Sequence, residues 1–312
     1  MQIKTLQYYR TLLDSHDQGI YDKMFHHWMH FERRFTIPTP HAPLSELIQA
    51  VHMDNPMLFY IDYYKVRFTS SIFGLTIEGG YLYEKEEARR YLDECRSWGD
   101  YLVGKMPKGL QVYEKALWLH DAVIANVSYG NGDNIRSHNL IGVIADKVAV
   151  CEGIAMAYKL LCDLGDVPCI FVSGSHTLGP HAWNMIWVNN GCSFVDVTND
   201  INKIGGDRYG RHYFLRKDSE MIGYTWDRKM IPPCKICNKS NCVHEAGSKE
   251  ELVRIINDNI SSSSIGIHLA YAKKMSSAEL NLLIGYLSVK CRGIAGRSFS
   301  YSEDPLILYI NK

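Results

Sequence analysis

A cysteine, a histidine and an aspartate stand at residues 151, 181 and 196 in contexts that suit one chemistry. Cys151 opens the run CEGIAMAYKLL, whose spacing predicts a helix. His181 opens HAWNMIWV, a predicted strand, and Asp196 lies in SFVDVTND, on the next predicted strand. Acyl transfer by a thiol needs a thiolate, a base that makes it and a group that orients the base. A helix N-terminus favours a negative sulfur, so position 151 is suited to lowering the thiol pKa. The free N–H groups there can also hold the oxyanion of a tetrahedral intermediate. Gly153 is expected to leave room for a substrate backbone. Taken singly, each residue has an ordinary reading: a buried thiol, a core imidazole, a turn carboxylate. The three together, in this order, point to a nucleophile, a base and an orienting acid.

Strand parity tests whether the last two can meet. Side chains alternate faces along a strand, so His181 and Asp196 share a face only if the connection between their strands has an even length. NNG (189–191) marks that turn. An even loop puts Asp196 two positions from the residue opposite His181, a diagonal of about 7–8 Å that side chains can close.

Other residues compete for attention. His176, five residues before His181, is a rival base, although its predicted loop position suits a surface or substrate-lining role better. Trp183 shares parity with His181 and could wall an acyl channel or pack in the core; Trp187 continues that alternation. His138 or Asn139 could support the oxyanion from upstream, with helix capping as the alternative. Cys234, Cys237, Cys242 and His244 form C-x2-C-x4-C-x-H. Three thiolates and an imidazole suit a closed, tetrahedral structural zinc site. The alternative is a loop of free thiols. No cofactor is expected to be needed for catalysis.

These groups must be positioned by a mixed set of elements. Residues 1–35 carry apolar residues at helical spacing and predict a helix, and PTPHAP (38–43) breaks the chain. A further helix begins at Ser45, then NPMLFYIDYYKVRFT suggests a turn and strand, and GLTIEGGYLY a second strand. Residues 85–106 and 110–129 predict helices, the second with Leu117, His120 and Ile124 on one face. HNLIGVIAD (138–146) predicts a short helix, followed by helix 151–164 and strands at 168–174, 181–188 and 192–198. Beyond the cysteine-rich loop, SKEE (248–251) fits a capping box for a helix to about Asn259. A strand (GIHLAYA), a helix (SAELNLLIGYLSVKC) and two short strands close the chain.

Composition narrows the partners. Of 312 residues, 34 are basic and 34 acidic, which argues against electrostatic attraction to nucleic acid or an anionic membrane. No stretch approaches the roughly 20 apolar residues of a membrane span, and no signal peptide is visible in the first residues. The nine cysteines, an odd number, fit a reduced compartment, so a cytoplasmic location is expected.

The runs V-C-E-G-I-A-M-A-Y-K-L-L-C-D-L-G, V-S-G, H-A-W-N and F-V-D-V-T-N-D resemble the transglutaminase-like superfamily. The likeness extends over roughly residues 45–230, through DNPMLFYID, YEKALWLHDAVIANVSY and HYFLRKDSEM. It implies an α+β, papain-like core with a Cys–His–Asp triad on Cys151, His181 and Asp196. That core would carry a helical N-terminal layer, an antiparallel sheet and a small α/β C-terminal appendage. The corresponding regions are 1–110, 111–230 as the catalytic core, and 231–312. Asn199 departs from the pattern, since many relatives carry Trp there; the expected effect is on the groove and not on the triad. The activity implied is thiol-dependent acyl transfer on protein or peptide amides, ending in transamidation or hydrolysis. A cysteine peptidase or isopeptidase is the alternative enzyme, and a non-catalytic interaction module the alternative class. No segment matches a calcium site.

Overall fold

The computed structural model describes residues 5–130, 132–188, 191–201, 211–235, 243–261, 264–269, 271–272, 275–303 and 306–311. The predicted helix over 1–35 is divided. A single turn, α1 (Tyr8–Thr11), precedes α2 (Ser15–Met29), and β1 (Arg34–Ile37) follows. Asp14 makes the division, because its carboxylate accepts from the Asp17 N–H and caps α2. β1 then alternates exposed and buried residues, as a half-buried strand must. It joins a three-stranded antiparallel sheet with β2 (Arg67–Ser71) and β3 (Gly74–Glu78), in the order β1-β3-β2. Between them lies α3 (Leu44–Asp54).

Two amphipathic helices follow, α4 (Lys85–Lys105) and α5 (Val112–Ile124), the latter started by a Gln111–Glu114 capping box. α5 stops earlier than its apolar spacing predicts. The chain straightens at β4 (Ser128–Tyr129), which pairs in parallel with β5 (Val148–Ala149), immediately before Cys151. The predicted helix over 138–146 is a 3-10 turn (Ile135–His138) and a π-type turn (Gly142–Asp146). Packing overrides the apolar pattern here. A Cβ at Gly142 would lie 2.6 Å from the Arg136 carbonyl oxygen, and Lys147 ends the turn at φ 58°.

α6 (Cys151–Leu164) is the centre of the molecule, and every residue from Gly153 to Asp163 is buried. It lies on a five-stranded antiparallel sheet, β10-β6-β7-β8-β9, built from β6 (Cys169–His176), β7 (Gly179–Val188), β8 (Gly191–Val195), β9 (Phe214–Arg216) and β10 (Thr225–Trp226). A one-turn helix, α7 (Val197–Ile201), follows β8. α5 and α4 also pack on α6. One apolar core runs from Tyr9 to Cys234, and a second spans Ala246 to Ile310. The second belongs to a unit of β11 (Val243–Ala246), α8 (Lys249–Asp258), β12 (Ser264–Leu269), α9 (Ser277–Lys290), β13 (Ser298–Glu303) and β14 (Leu306–Asn311), with strand order β11-β12-β14-β13. Ser248 caps α8 by accepting from the Glu251 N–H, as the SKEE motif predicts. Among the described residues, no helix is long and apolar enough to cross a membrane.

Burying α6 requires its charged residues to be answered. Lys159 is fully buried and donates to both carboxylate oxygens of Asp163 (3.3 and 3.2 Å), to the Cys169 carbonyl (3.2 Å) and to the Leu6 carbonyl (3.4 Å). It thereby ties the helix to the sheet and to the N-terminal segment. Lys159→Ala leaves the Asp163 carboxylate without its cation, and is expected to cost about 3–5 kcal/mol in urea or guanidinium unfolding.

Candidate active site

Cys151 is the first residue of α6, and Val150 before it is extended (φ −99°, ψ 179°). The approach to this helix is fixed from two sides. The Val150 N–H donates to the Ser137 carbonyl (3.0 Å), and Gly130 N–H to the Ala149 carbonyl (3.0 Å). Gly153 has a different role from the one its sequence suggests. A Cβ there would lie 2.6 Å from the Ser137 oxygen and 2.9 Å from the Asn139 oxygen. The missing side chain makes room for the protein's own 3-10 turn, not for a substrate backbone.

His181 and Asp196 meet through the register of β7 and β8. The pairs Val188↔Gly191, Trp187↔Cys192 and Asn184↔Val195 give an even connection. Asp196, next after Val195, therefore lies on the diagonal from His181, as parity requires. His181 Nε2 and Asp196 Oδ2 are 2.7 Å apart. Cys151 adjoins the same imidazole and acts on its charge. Burial disfavours the charged ring, but the Asp196 carboxylate and the Cys151 thiol outweigh it and push the His181 pKa up to about 10.

Asp196 is fully buried and accepts four donors. Oδ2 takes His181 Nε2, the Tyr224 hydroxyl (2.6 Å) and Asn199 Nδ2 (2.8 Å); Oδ1 takes the Asn199 backbone N–H (3.0 Å). Burial would raise its pKa, yet His181, Tyr224 and Asn199 hold it below the ordinary carboxylate value. Asn199, expected to shape the groove alone, is thus bonded to the candidate triad. Tyr224, just before β10, gave no sequence signal, because it reaches Asp196 only through the fold.

The remaining candidates take their places around this centre. His176 ends β6, with its ring 4.5 Å from Tyr224 and 6.0 Å from His181. Trp183 is buried and stacks on His181 (5.8 Å, 22°), walling the base on its core side; Trp187 packs near Tyr8 (5.9 Å). Asn139 Oδ1 accepts from the Ile141 N–H (2.9 Å), a local capping role. His138 turns to Glu152 (Nδ1, 3.1 Å) and the Gly132 carbonyl (Nε2, 3.0 Å). Glu152, next to the cysteine, is held from the other side by His52 Nε2 (3.1 Å). Burial opposes that charge, but the two imidazoles bring the Glu152 pKa down to about 2, and Glu152 in turn raises His138 to about 9. Tyr129 also adjoins the site: burial raises its pKa, and Cys151 and Asp196 add to the effect.

Of the predicted zinc ligands, Cys237 and Cys242 lie outside the described residues. Cys234 is buried against Cys192, and burial pushes its thiol pKa up; His244 is half-buried on β11. Among the described residues, Asp14, Asp17 and His41 offer ligand atoms within 4.8 Å of one another. Their oxygens are already committed, Asp14 to the α2 cap and Asp17 to the N–H groups of His41 and Ala42.

Beside Cys151 lies a cavity of about 670 Å³, lined by His181, Glu152 and Phe171 on one side and by α3 and the segment after it on the other.

A cysteine on a helix N-terminus, packed against an antiparallel sheet that carries a histidine and an aspartate, defines a papain-like α+β core. Residues 98–198 match the model of the Transglutaminase-like superfamily and form a transglutaminase-like domain within the chain. No curated protein matches the chain. Similar solved structures include a proposed cysteine protease from Cytophaga hutchinsonii, 14% identical, with a TM-score of 0.29, covering 43% of this chain and 61% of that one. A TGase is 13% identical, with a TM-score of 0.31, over 69% of this chain and 58% of its own. A proposed protease from Parabacteroides distasonis is 10% identical, with a TM-score of 0.27, over 42% and 35%. The chain thus spans less than two thirds of the length of each.

The donors to Asp196 should be separable from the thiol. Hydrogen bonds to a charged acceptor contribute about 1.5–3 kcal/mol each, so Tyr224→Phe is expected to lower kcat by about ten- to a hundredfold. Asn199→Ala should act in the same direction. Titration of the His181 ring by NMR should show its pKa rising in both variants, because a carboxylate relieved of competing donors holds the imidazolium more strongly, a shift that general loosening of the fold would not produce.

Proposed function

We propose that this protein is a thiol-dependent acyl-transfer enzyme acting on protein or peptide amides, with Cys151 as nucleophile, His181 as base and acid, and Asp196 as the orienting group. The observation that carries the reading is the arrangement of the imidazole. Its Nε2 is bonded at 2.7 Å to a buried carboxylate, and the ring adjoins a cysteine at a helix N-terminus. The transglutaminase-like domain at 98–198 supports the same class of chemistry.

In the first step His181 takes the Cys151 proton, and the sulfur bonds to the amide carbon. The free backbone N–H groups that open α6 would receive the resulting oxyanion. The C–N bond then breaks as His181 returns the proton to the leaving ammonia or amine, which leaves a thioester on Cys151. Water completes a hydrolysis; an amine such as a lysine side chain completes a transamidation. Asp196 holds the ring in the tautomer and orientation that both proton transfers need, and stabilises its charged form.

Iodoacetamide labelling read by mass spectrometry tests the assignment. Cys151 should label faster than the other cysteines, and His181→Ala should remove that advantage. A rate no different from the buried thiols, such as Cys95 or Cys162, would sink the enzyme reading. The pH profile supplies a second test. His181 acts as an acid only while protonated, and its raised pKa keeps the proton until the pH climbs through about 10. The alkaline limb of kcat/KM is therefore expected near pH 10, and Asp196→Asn should move it to lower pH.

A further inference from the structure

The cavity beside Cys151 has two walls of different origin. One comes from α6, β6 and β7, inside the transglutaminase-like domain. The other precedes residue 98. It is one face of α3 (Ser45, Ile48, Gln49, His52, Met53), continued by Pro56, Phe59 and 61–64 and closed by Leu82. The steps of three and four between those α3 residues put them on a single stripe of the helix. The opposite stripe, Leu47, Ala50, Val51 and Asp54, is buried in the core, so the cavity face is held rigidly.

The size and chemistry of this space select its occupant. At about 670 Å³ it falls among cavities that enclose a whole small ligand, roughly 300–1,000 Å³. That is far more than the side chain of a glutamine fills. Its surface is mainly apolar, with Ile48, Phe59, Ile61, Leu140, Met156 and Phe171 contributing from both walls. Its carboxylates are already answered: Glu152 by His52 and His138, and Asp62 by Lys65 (2.7 Å). A charged group entering would lose its hydration without gaining a free counter-charge among the described residues. An apolar group would gain by leaving water, at about 25 cal/mol per Å² buried.

We propose that the acyl donor carries a bulky, neutral, apolar side chain, aromatic or branched aliphatic, that enters this cavity, and that the α3 face selects it. The proposal rests on the thiol acyl-transfer reading above. Segment 45–64 is then the specificity element, and the domain at 98–198 supplies the reacting groups.

p-Nitrophenyl esters of N-acetyl-phenylalanine, -leucine, -glycine, -glutamate and -lysine provide the test. In each, Cys151 sulfur bonds to the acyl carbon, p-nitrophenolate leaves, and water then cleaves the thioester. The phenylalanine and leucine esters should exceed the other three in kcat/KM by at least tenfold. Ile48→Trp, which narrows the cavity, should lower the phenylalanine-to-glycine ratio by at least fivefold; Gln49→Trp narrows it from the same face should the first variant not fold. Circular dichroism establishes folding. Esters that react within twofold of one another, or a preference for the glutamate or lysine ester, would overturn the proposal while selective iodoacetamide labelling of Cys151 leaves the thiol reading standing. A phenylalanine-to-glycine ratio unmoved in a folded narrowed variant would overturn it equally. Loss of selective labelling in the unmodified protein would overturn both together.

Discussion

A carboxylate with no access to water must have its charge answered from within the protein, and Asp196 is such a group. Its four donors come from three places: the strand that carries His181, the turn of α7 that carries Asn199, and the segment before β10 that carries Tyr224. The register of β7 on β8, the turn after β8 and the return of the chain along β6 must all be correct before the charge is satisfied. An ion that is costly to bury thus becomes a constraint on the fold, and the imidazole is fixed by the same set of bonds. A second buried pair reinforces the arrangement one turn along α7, where Asp200 meets His120 Nε2 of α5 at 3.0 Å.

The candidate nucleophile, Cys151, depends on α6 in a similar way. A thiol positioned by a helix end is only as well placed as the helix, and this helix is buried along its length. Lys159 and Asp163 lock its far end to the sheet and to the N-terminal segment, while Gly153 lets the 3-10 turn at 135–138 close over its near end. Both ends are therefore determined by contacts distant in sequence, and Cys151 is placed with them. Such pre-organisation is what proximity effects in catalysis require.

The three candidate residues are legible in the sequence because each sits at the boundary of a short, strongly patterned element. The parity argument succeeds because a strand's period of two admits only two answers, and the Val188↔Gly191 pairing selects the even one. Legibility ends where contacts become long-range. Tyr224 is 28 residues from Asp196, and His52 is 100 from Glu152, and nothing local marks either as part of a site. The stretch 138–146 fails for a related reason: its apolar run fits a helix, but the close approach of the 136–137 backbone at Gly142 imposes a wider turn. At the N-terminus Asp14 reads as one polar residue within a helix, and only its bond to the Asp17 N–H reveals the cap that splits it.

The separation between the candidate triad and the facing cavity wall has a physical basis. Cys151, His181 and Asp196 belong to elements whose mutual geometry is fixed by sheet register and by buried ions, so substitutions there carry a large energetic penalty. The α3 face toward the cavity meets no such requirement. Ile48 is only half-buried and Gln49 is exposed, and neither takes part in an ion pair or strand ladder. Residues on that stripe can change size or polarity without disturbing the register that holds His181 against Asp196. A scaffold built this way keeps the geometry around Cys151, His181 and Asp196 while the opposite cavity wall, contributed by a different part of the chain, is free to vary.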